Sequence, residues 1–458
     1  MDSSISVLIL AAGLGTRMKS KKAKVLHAAG GKTLIEHVVR SALGIALPER
    51  IVAVVGHQAE LVRERLAETG VGFVSQVEQK GTGHAVMVAR DAVSHSGLLA
   101  VLYGDIPLLS AETLRRLADH QRSSGGAVTV ITTMLGDPSG YGRVVRDPSG
   151  DIMGIVEHRV ATPKQREIRE INSGIYCFRS DLLWDHIGEI GTANPAGEYY
   201  LTDMVEILHR AGYGIGTLRL ESAEELLGIN TRIELAEVDR VFRMRKVHEL
   251  MLEGVTIEKP ETVTVDLDVR IGPDTVIEPF ARILGNTVIG ENCRIGAHSI
   301  IENSRLEDEV EIGAYTIVNS SVLERGAHAG PFARLRLENH IAAGAHVGNF
   351  VELKKTRLGS GSKAMHLAYL GDSQIGEGVN IGAGTITCNF DGEKKHPTVI
   401  HDGAFVGSNS TLVAPVEIGE ASYVAAGSVI TQPVPARALG IGRGRQVNKE
   451  GWVKKRRD

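Results

Sequence analysis

Three cysteines in 458 residues, Cys177, Cys293 and Cys388, are far apart and show no CxxC spacing, which excludes a disulfide framework and a thiolate zinc site. A reducing compartment, the cytoplasm, is the expectation. Aromatic residues make up only 4% of the chain, so its core cannot draw on large rings in the usual way. No stretch approaches the roughly 20 uninterrupted apolar residues that span a bilayer. The opening MDSSISVLILAAGLGTRM carries a short apolar run with no basic segment before it, unlike a secretory signal. Neither sign of charge dominates: 51 Lys+Arg face 55 Asp+Glu, so no basic field points to nucleic acid or to an acidic membrane surface. Any anionic ligand must be met by locally placed cations.

What the chain has in excess is glycine, 53 residues, and a beat. Ile271, Ile277, Ile283, Ile289, Ile295 and Ile301 recur every six residues, and Leu412, Ile418, Val424 and Ile430 resume the same step. On an α-helix six residues turn a side chain through roughly 600°, scattering these positions over several faces. On a strand, six is a multiple of two, so all of them point to one side. Glycine often follows the aliphatic residue (Gly272, Gly290, Gly296, Gly313, Gly376, Gly382, Gly419), which suggests a permissive backbone at a sharp corner. The expectation is a parallel β-solenoid whose coils bury their interior against each other. Two segments, SGSKAMHLAYLGD and CNFDGEKKH, break the beat and are expected to be binding loops.

The first half reads differently. SVLILAAG, RIVAVVG and LLAVLYGD are short aliphatic runs ending in Gly or Gly-Asp, with spacers long enough for helices, as in a mostly parallel, Rossmann-like α/β sheet. Ligands of such sheets lie beyond the carboxyl ends of the strands. Between the halves, TRIELAEVDRVFRMRKVHELMLEG predicts a long amphipathic helix, with Ile233, Val238, Val241 and Leu250 apolar and Gly254 as its stop. The domains are therefore expected at 1–232 and 254–458, joined by a linker helix at 233–253.

Leu10-Ala11-Ala12-Gly13-Leu14-Gly15-Thr16-Arg17-Met18 follows the first strand, and its small residues let backbone N–H groups approach phosphate oxygens. Met18 stands where a dinucleotide fingerprint needs its third glycine, and no GxxxxGK[ST] is present. Arg17 and Lys24 add two cations. A tight strand-to-helix turn with two solvated charges is the competing reading, and a lone Asp after a strand, such as Asp105, is often only a helix N-cap. The segment LAAGLGTRM…KAKVLH resembles the signature of sugar-phosphate nucleotidylyltransferases. Gln76, Gly81-Thr82 in QKGTGHA, Tyr103-Gly104-Asp105, Gly142 in GYGR, Glu157 in GIVEH, Asn172 in EINSGIY, GEYYLTD and Asn230 in LLGINTR are similar to the bifunctional N-acetylglucosamine-1-phosphate uridylyltransferase/glucosamine-1-phosphate acetyltransferases, along nearly the whole chain. The resemblance implies UTP as co-substrate, Mg²⁺ on Asp105 and Asn230, Gln76 and Gly81 reading the uracil, and Glu157 and Asn172 holding the sugar. Arg17 and Lys24 are then the catalytic cations.

His366 lies inside the first break, in KAMHLAYLGD. One of 17 histidines, it is by default a surface residue. The same resemblance makes it the general base of acetyl transfer from acetyl-CoA, with Arg336, Lys354, Tyr369 and Asn380 on the sugar phosphate side and Ala383, Asn389, Phe390, Ser408, Ala426 and Arg443 toward CoA. Phe390 departs from the family, where Tyr is frequent, so a role needing a hydroxyl there is lost. The resemblance also implies a left-handed β-helix and a homotrimer with shared acetyl sites. The basic tail GRQVNKEGWVKKRRD is either a solvated end or a partner of CoA phosphates. Two other readings stand beside the bifunctional enzyme: a nucleotidylyltransferase whose β-helix only oligomerises, and a non-catalytic scaffold.

Overall fold

The computed structural model describes residues 4–93 and 96–453, so the last five residues of the basic tail lie outside the described residues. The chain divides into two compact units, Met1–Phe242 and Arg243–Asp458, and the division falls inside the long helix Arg232–Leu252.

The first unit is built on one sheet. Its strands are β1 (Ile5–Ala11), β2 (Ile51–Val55), β3 (Gly72–Ser75), β4 (Leu98–Tyr103), β5 (Val128–Met134), β6 (Arg143–Arg146), β7 (Ile152–Val156), β8 (Glu170–Arg179) and β9 (Ile215–Leu220). Their order is β9-β5-β8-β4-β1-β2-β3, with the β6–β7 hairpin attached to β8. The three aliphatic runs are β1, β2 and β4, adjacent and parallel. β8 is antiparallel to both of its neighbours in that order, β4 and β5, so the sheet is mixed where the runs alone suggested little but parallel pairing. Every residue of β1 and β2 is buried, which explains their unbroken apolar character: helices cover both faces. The long helix buries Val238, Val241 and Leu250 as its pattern implies, but Ile233, at 83% exposure, lies outside the apolar face.

The second unit stacks parallel strands on three faces, in sheets of eleven, ten and nine strands. Ile277, Ile295 and Ile312 pair in register on the first face, Ile283, Ile301 and Val318 on the second, and Ile271, Ile289 and Leu306 on the third. The six-residue beat thus visits each face in turn, and three steps complete a coil. All of these side chains are buried and belong to one continuous core without a single aromatic ring. Stacked isoleucines replace the missing aromatic area.

Two expectations are corrected. The glycines that follow the aliphatic residues do not turn the corners: none of the seven has a positive φ. Corners are turned by residues such as Asp274, Asn292, Tyr315 and Phe332, which take left-handed φ values of 54–60°. The glycines are there because the next coil lies against them. A Cβ on Gly296 would sit 2.5 Å from the Ala314 nitrogen, and one on Gly290 would sit 2.7 Å from the Asp308 nitrogen. Second, SGSKAMHLAYLGD is no insertion. Lys363–His366 and Tyr369–Gly371 pair in register with the coils on either side. Only CNFDGEKKH leaves the coil, as a small hairpin closed by a Phe390–Lys395 bridge.

Gly296→Ala should therefore cost about 1–3 kcal/mol through overpacking, although its φ suits any residue. Denaturant unfolding of the full chain reads this directly; a neutral substitution would return the glycines to a conformational role.

Candidate active sites

Beyond the carboxyl ends of β1 and β4 lies a cleft of about 560 Å³. Leu10, Ala11, Ala12, Gly13, Arg17, Lys24, Gln76, Gly81, Thr82, Tyr103, Asp105 and Asn230 all line it. Gly15 shapes its floor, with φ +63° and a missing side chain that would otherwise lie 2.6 Å from the Lys24 Cβ. Gly13 faces open space, which leaves room for a ligand against the loop.

The charges are arranged by backbone. The Ile229 N–H donates to the Asp105 carbonyl at 2.9 Å, tying the turn after β4 to the start of the long helix. Glu234 accepts from the Asn230 and Thr231 amides at 2.7 and 2.6 Å, a cap that fixes Asn230 just outside that helix. Asn230 Oδ1 then accepts from Arg17 at 2.8 Å and from Lys24 at 3.3 Å, while Lys24 also pairs with Asp105. Two cations and two hard oxygen donors thus meet at one point. An aspartate carboxylate and a carboxamide oxygen already sharing one ammonium suit a divalent cation that takes its remaining ligands from phosphate and water.

Gly104, Gly142, Glu157 and Asn172 do not line this cleft. Gly104 packs, its absent Cβ being 3.1–3.3 Å from Val25, Ala11 and Ile35. The other three meet each other: a Cβ on Gly142 would be 3.6 Å from that of Asn172 and 3.7 Å from Glu157 Oε1. The buried guanidinium of Arg143 holds this strand through the Tyr141 carbonyl and the His158 ring. Tyr103 adjoins both groups, since it lines the cleft and lies against Gly174, just beyond Asn172. Burial, with the nearby Glu157 and Asp105 charges adding, raises its phenol well above the usual range. Glu157 borders a second hollow of about 340 Å³ with Tyr200, Asp203 and Glu206. Burial also raises the Glu157 carboxyl, against an opposing bond from Thr202, and Asp203 adds to the rise.

On the β-helix, one corner carries a column. Asn349, His366, Ala383, Ser408 and Ala426 each precede the corner residue of successive coils: Phe350, Leu367, Gly384, Asn409 and Gly427, all of positive φ. Backbone bonds link the column, Asn409 N–H to Ala383 O at 2.7 Å and Gly427 N–H to Ser408 O at 2.8 Å, and the Arg443 side chain lies near Gly427. The base candidate and four of the CoA candidates are thus in line. His366 is exposed, its Nδ1 2.7 Å from Asn349 Oδ1.

Tyr369 begins the strand that follows this corner, while Arg336 and Lys354 stand at the far end of the same face. Arg336 donates to Glu352 at 2.8 Å. Lys354 lies beside Lys395 of the hairpin, and that contact lowers its ammonium below the usual range. Asn389 is buried and donates to Asp372; Phe390 is 59% exposed. Both lie across the strand Ile386–Cys388 from Ala383, apart from the other CoA candidates. Asn380 sits on the preceding face, paired with Lys363 and Phe405.

A MobA-like NTP transferase domain model matches residues 7–152, and a bacterial transferase hexapeptide model matches 268–303 and 397–432. Relatives match throughout. The bifunctional protein GlmU of Solibacter usitatus is 61% identical over 100% of this chain and 98% of its own. That of Koribacter versatilis is 51% identical over the same shares, and that of an Anaeromyxobacter strain 50% over 99% and 93%. The chain belongs to the GlmU family.

GlmU proteins are bifunctional, uridylyltransferase and acetyltransferase in one chain, and this protein is such an enzyme of UDP-N-acetylglucosamine synthesis. Its second unit is the left-handed β-helix of hexapeptide transferases. Several residues at the two candidate sites escaped the sequence reading. Gln79 lines the cleft and donates to the Ala12 carbonyl at 2.6 Å, and Glu198 faces it from the GEYYLTD segment. Lys395 lies beside Lys354, and Asn349 beside His366. Gln79 and Lys395 sat inside quoted motifs; nothing in the pattern marked Asn349.

The raised Glu157 carboxyl has a consequence for stability. Its unfolded pKa is 4.5 and its folded one higher, so below 4.5 both states are protonated and there is no penalty, while above the folded value the penalty is complete. Glu157→Gln should raise the melting temperature of the first unit at neutral pH, and calorimetry should show the gain vanishing near about pH 4.

Proposed function

We propose that the cleft transfers the uridylyl group of UTP to N-acetylglucosamine 1-phosphate, and that the His366 corner first makes that sugar from glucosamine 1-phosphate and acetyl-CoA. The convergence of Arg17, Lys24, Asp105 and Asn230 beneath an open glycine loop carries the first half of this reading. A scaffold has no use for two cations and two hard donors at one point.

In uridylyl transfer a phosphate oxygen of the sugar attacks the α-phosphorus of UTP, a new P–O bond forms, and the bond to pyrophosphate breaks. Little covalent work falls to the protein; Arg17 and Lys24 hold and neutralise the phosphate chain. Gln76 and the backbone at Gly81 read the uracil, and Glu157 and Asn172 orient the sugar. Asp105 and Asn230 would hold Mg²⁺, which would supply neutralisation of the phosphate charge.

In acetyl transfer the sugar amine attacks the thioester carbonyl, an N–C bond forms and the C–S bond breaks, and His366 takes the amine proton and returns it to the sulfur, so that CoA leaves as the thiol. Arg336, Lys354 and Tyr369 bind the sugar phosphate, with Asn380 nearby. Ala383, Ser408, Ala426 and Arg443 form the wall for CoA, with Asn389 and Phe390 at its edge.

The enzyme works as a homotrimer. A ladder of exposed rings, Phe280, His298, Tyr315, Phe332 and Phe350, with centroids 4.8–5.4 Å apart, runs up the corner to Leu367 and supports this assembly. It acts in the cytoplasm: its three cysteines are free thiols, and among the described residues no helix is long and apolar enough to cross a membrane.

The test supplies glucosamine 1-phosphate, acetyl-CoA, UTP and Mg²⁺ and follows free thiol and pyrophosphate separately. His366→Ala should abolish thiol release yet leave pyrophosphate release from supplied N-acetylglucosamine 1-phosphate within a few-fold, and Asp105→Ala should do the reverse. Undiminished thiol release by the His366 variant sinks the base assignment.

A further inference from the structure

We propose that Asn349 is the positioning residue of acetyl transfer, holding the His366 imidazole by its Nδ1–H so that Nε2 presents its lone pair to the amine. The inference rests on His366 being the base, and adds the group that makes it one.

Asn349 occupies the place of His366 one coil earlier, and the two residues pair directly in the parallel register. Its carboxamide oxygen lies 2.7 Å from His366 Nδ1. The oxygen can only accept, so the ring nitrogen facing it must carry a proton, and in the neutral ring the lone pair is left on Nε2. Backbone secures the same pair: the Leu367 N–H donates to the Asn349 carbonyl at 3.1 Å. Gly348 permits the close approach, because a Cβ there would lie 1.9 Å from the Met365 carbonyl oxygen. The coils meet so tightly that the neighbouring side chains, Asn349 and His366, have to share the space outside.

Other positions of this column give contrast. On earlier coils they are Ala297, Ala314 and Pro331, and above His366 come Ala383, Ser408 and Ala426. A hydrogen-bonding side chain lies directly beneath the histidine, where the rest of the lower column has none. Elsewhere on the β-helix the imidazoles of His340, His396 and His401 meet carboxylates. His366 meets a neutral acceptor, which fixes the tautomer without an adjacent negative charge holding the proton that must later be passed on.

Asn349→Leu removes the acceptor at similar size, and Asn349→Asp keeps an oxygen in place. In the leucine variant, kcat for acetyl transfer should fall about ten- to hundred-fold, the scale on which supporting hydrogen bonds to functional histidines act. KM for both substrates and uridylyl transfer should stay within a few-fold. The aspartate variant should recover most of the loss, and Asn349→Leu should add nothing in a His366→Ala background. Equal damage by Leu and Asp, or a further drop in the double variant, would make Asn349 a packing residue only. Leucine at the parental rate beside an inactive His366→Ala overturns the inference alone, whereas an active His366→Ala overturns the base assignment beneath it. Circular dichroism and melting of the trimer or monomer as purified exclude misfolding as the cause.

Discussion

The acetyl-transfer chemistry depends on one constraint: the backbone of each coil of the β-helix lies directly on the backbone of the next. Parallel pairing puts equivalent residues of successive coils in vertical line, so a strip of surface is written one residue per coil rather than one residue per turn of sequence. The column Asn349, His366, Ala383, Ser408, Ala426 is such a strip. Its polar and small members stand side by side in space although a whole coil of sequence separates each from the next. Glycine enforces the spacing. Where it lies between coils, at Gly296, Gly348 or Gly382, a side chain would collide with the backbone above. Such glycines set the distance across which Asn349 can reach His366.

The first unit solves the same problem of gathering distant residues by other means. Its strands end at one edge of the sheet, and the functional side chains come from the loops there. A single backbone bond, Ile229 to Asp105, draws the beginning of the long helix onto the end of β4, and the Glu234 cap prevents Asn230 from turning into the helix. The resulting Lys24–Asp105 pair is only 15% and 17% exposed. Burying the two charges together costs less than burying either alone. Asn230 adds an oxygen that draws in Arg17 and Lys24 without adding charge. The four side chains thus hold one another in place, and charges fixed in this way stabilise developing charge more effectively than mobile ones.

How much of this could be read from residues alone follows from the kind of regularity each feature leaves. The hexad beat is strictly local, and the stacked parallel strands follow from it, down to which isoleucines are buried; that three steps complete a coil is seen only in the strand pairing. The aliphatic runs marked β1, β2 and β4 for the same reason. The antiparallel β8 left no such mark, because a strand buried on both faces looks alike whichever way it runs. Glycine misled in a different way: its frequency was plain, but whether it supplies a left-handed φ or an absence of bulk depends on what lies above it in the next coil. Asp274, Asn292 and Tyr315 turn corners that the pattern had assigned to glycine.

The sites divide along the same line. Arg17, Lys24, Asp105 and Asn230 were legible because each sits in a short motif, and the structure brings all four together. Asn349 was not, because its only distinction is the residue it faces across one coil, and that pairing exists only once the register is set. On the proposal made for Asn349, a residue with no motif of its own decides what a neighbouring base does: the side chain beneath the His366 ring selects which nitrogen carries the proton. In a solenoid such selectors are to be sought one coil above or below a functional residue, at the same place in the repeat, rather than beside it in the sequence.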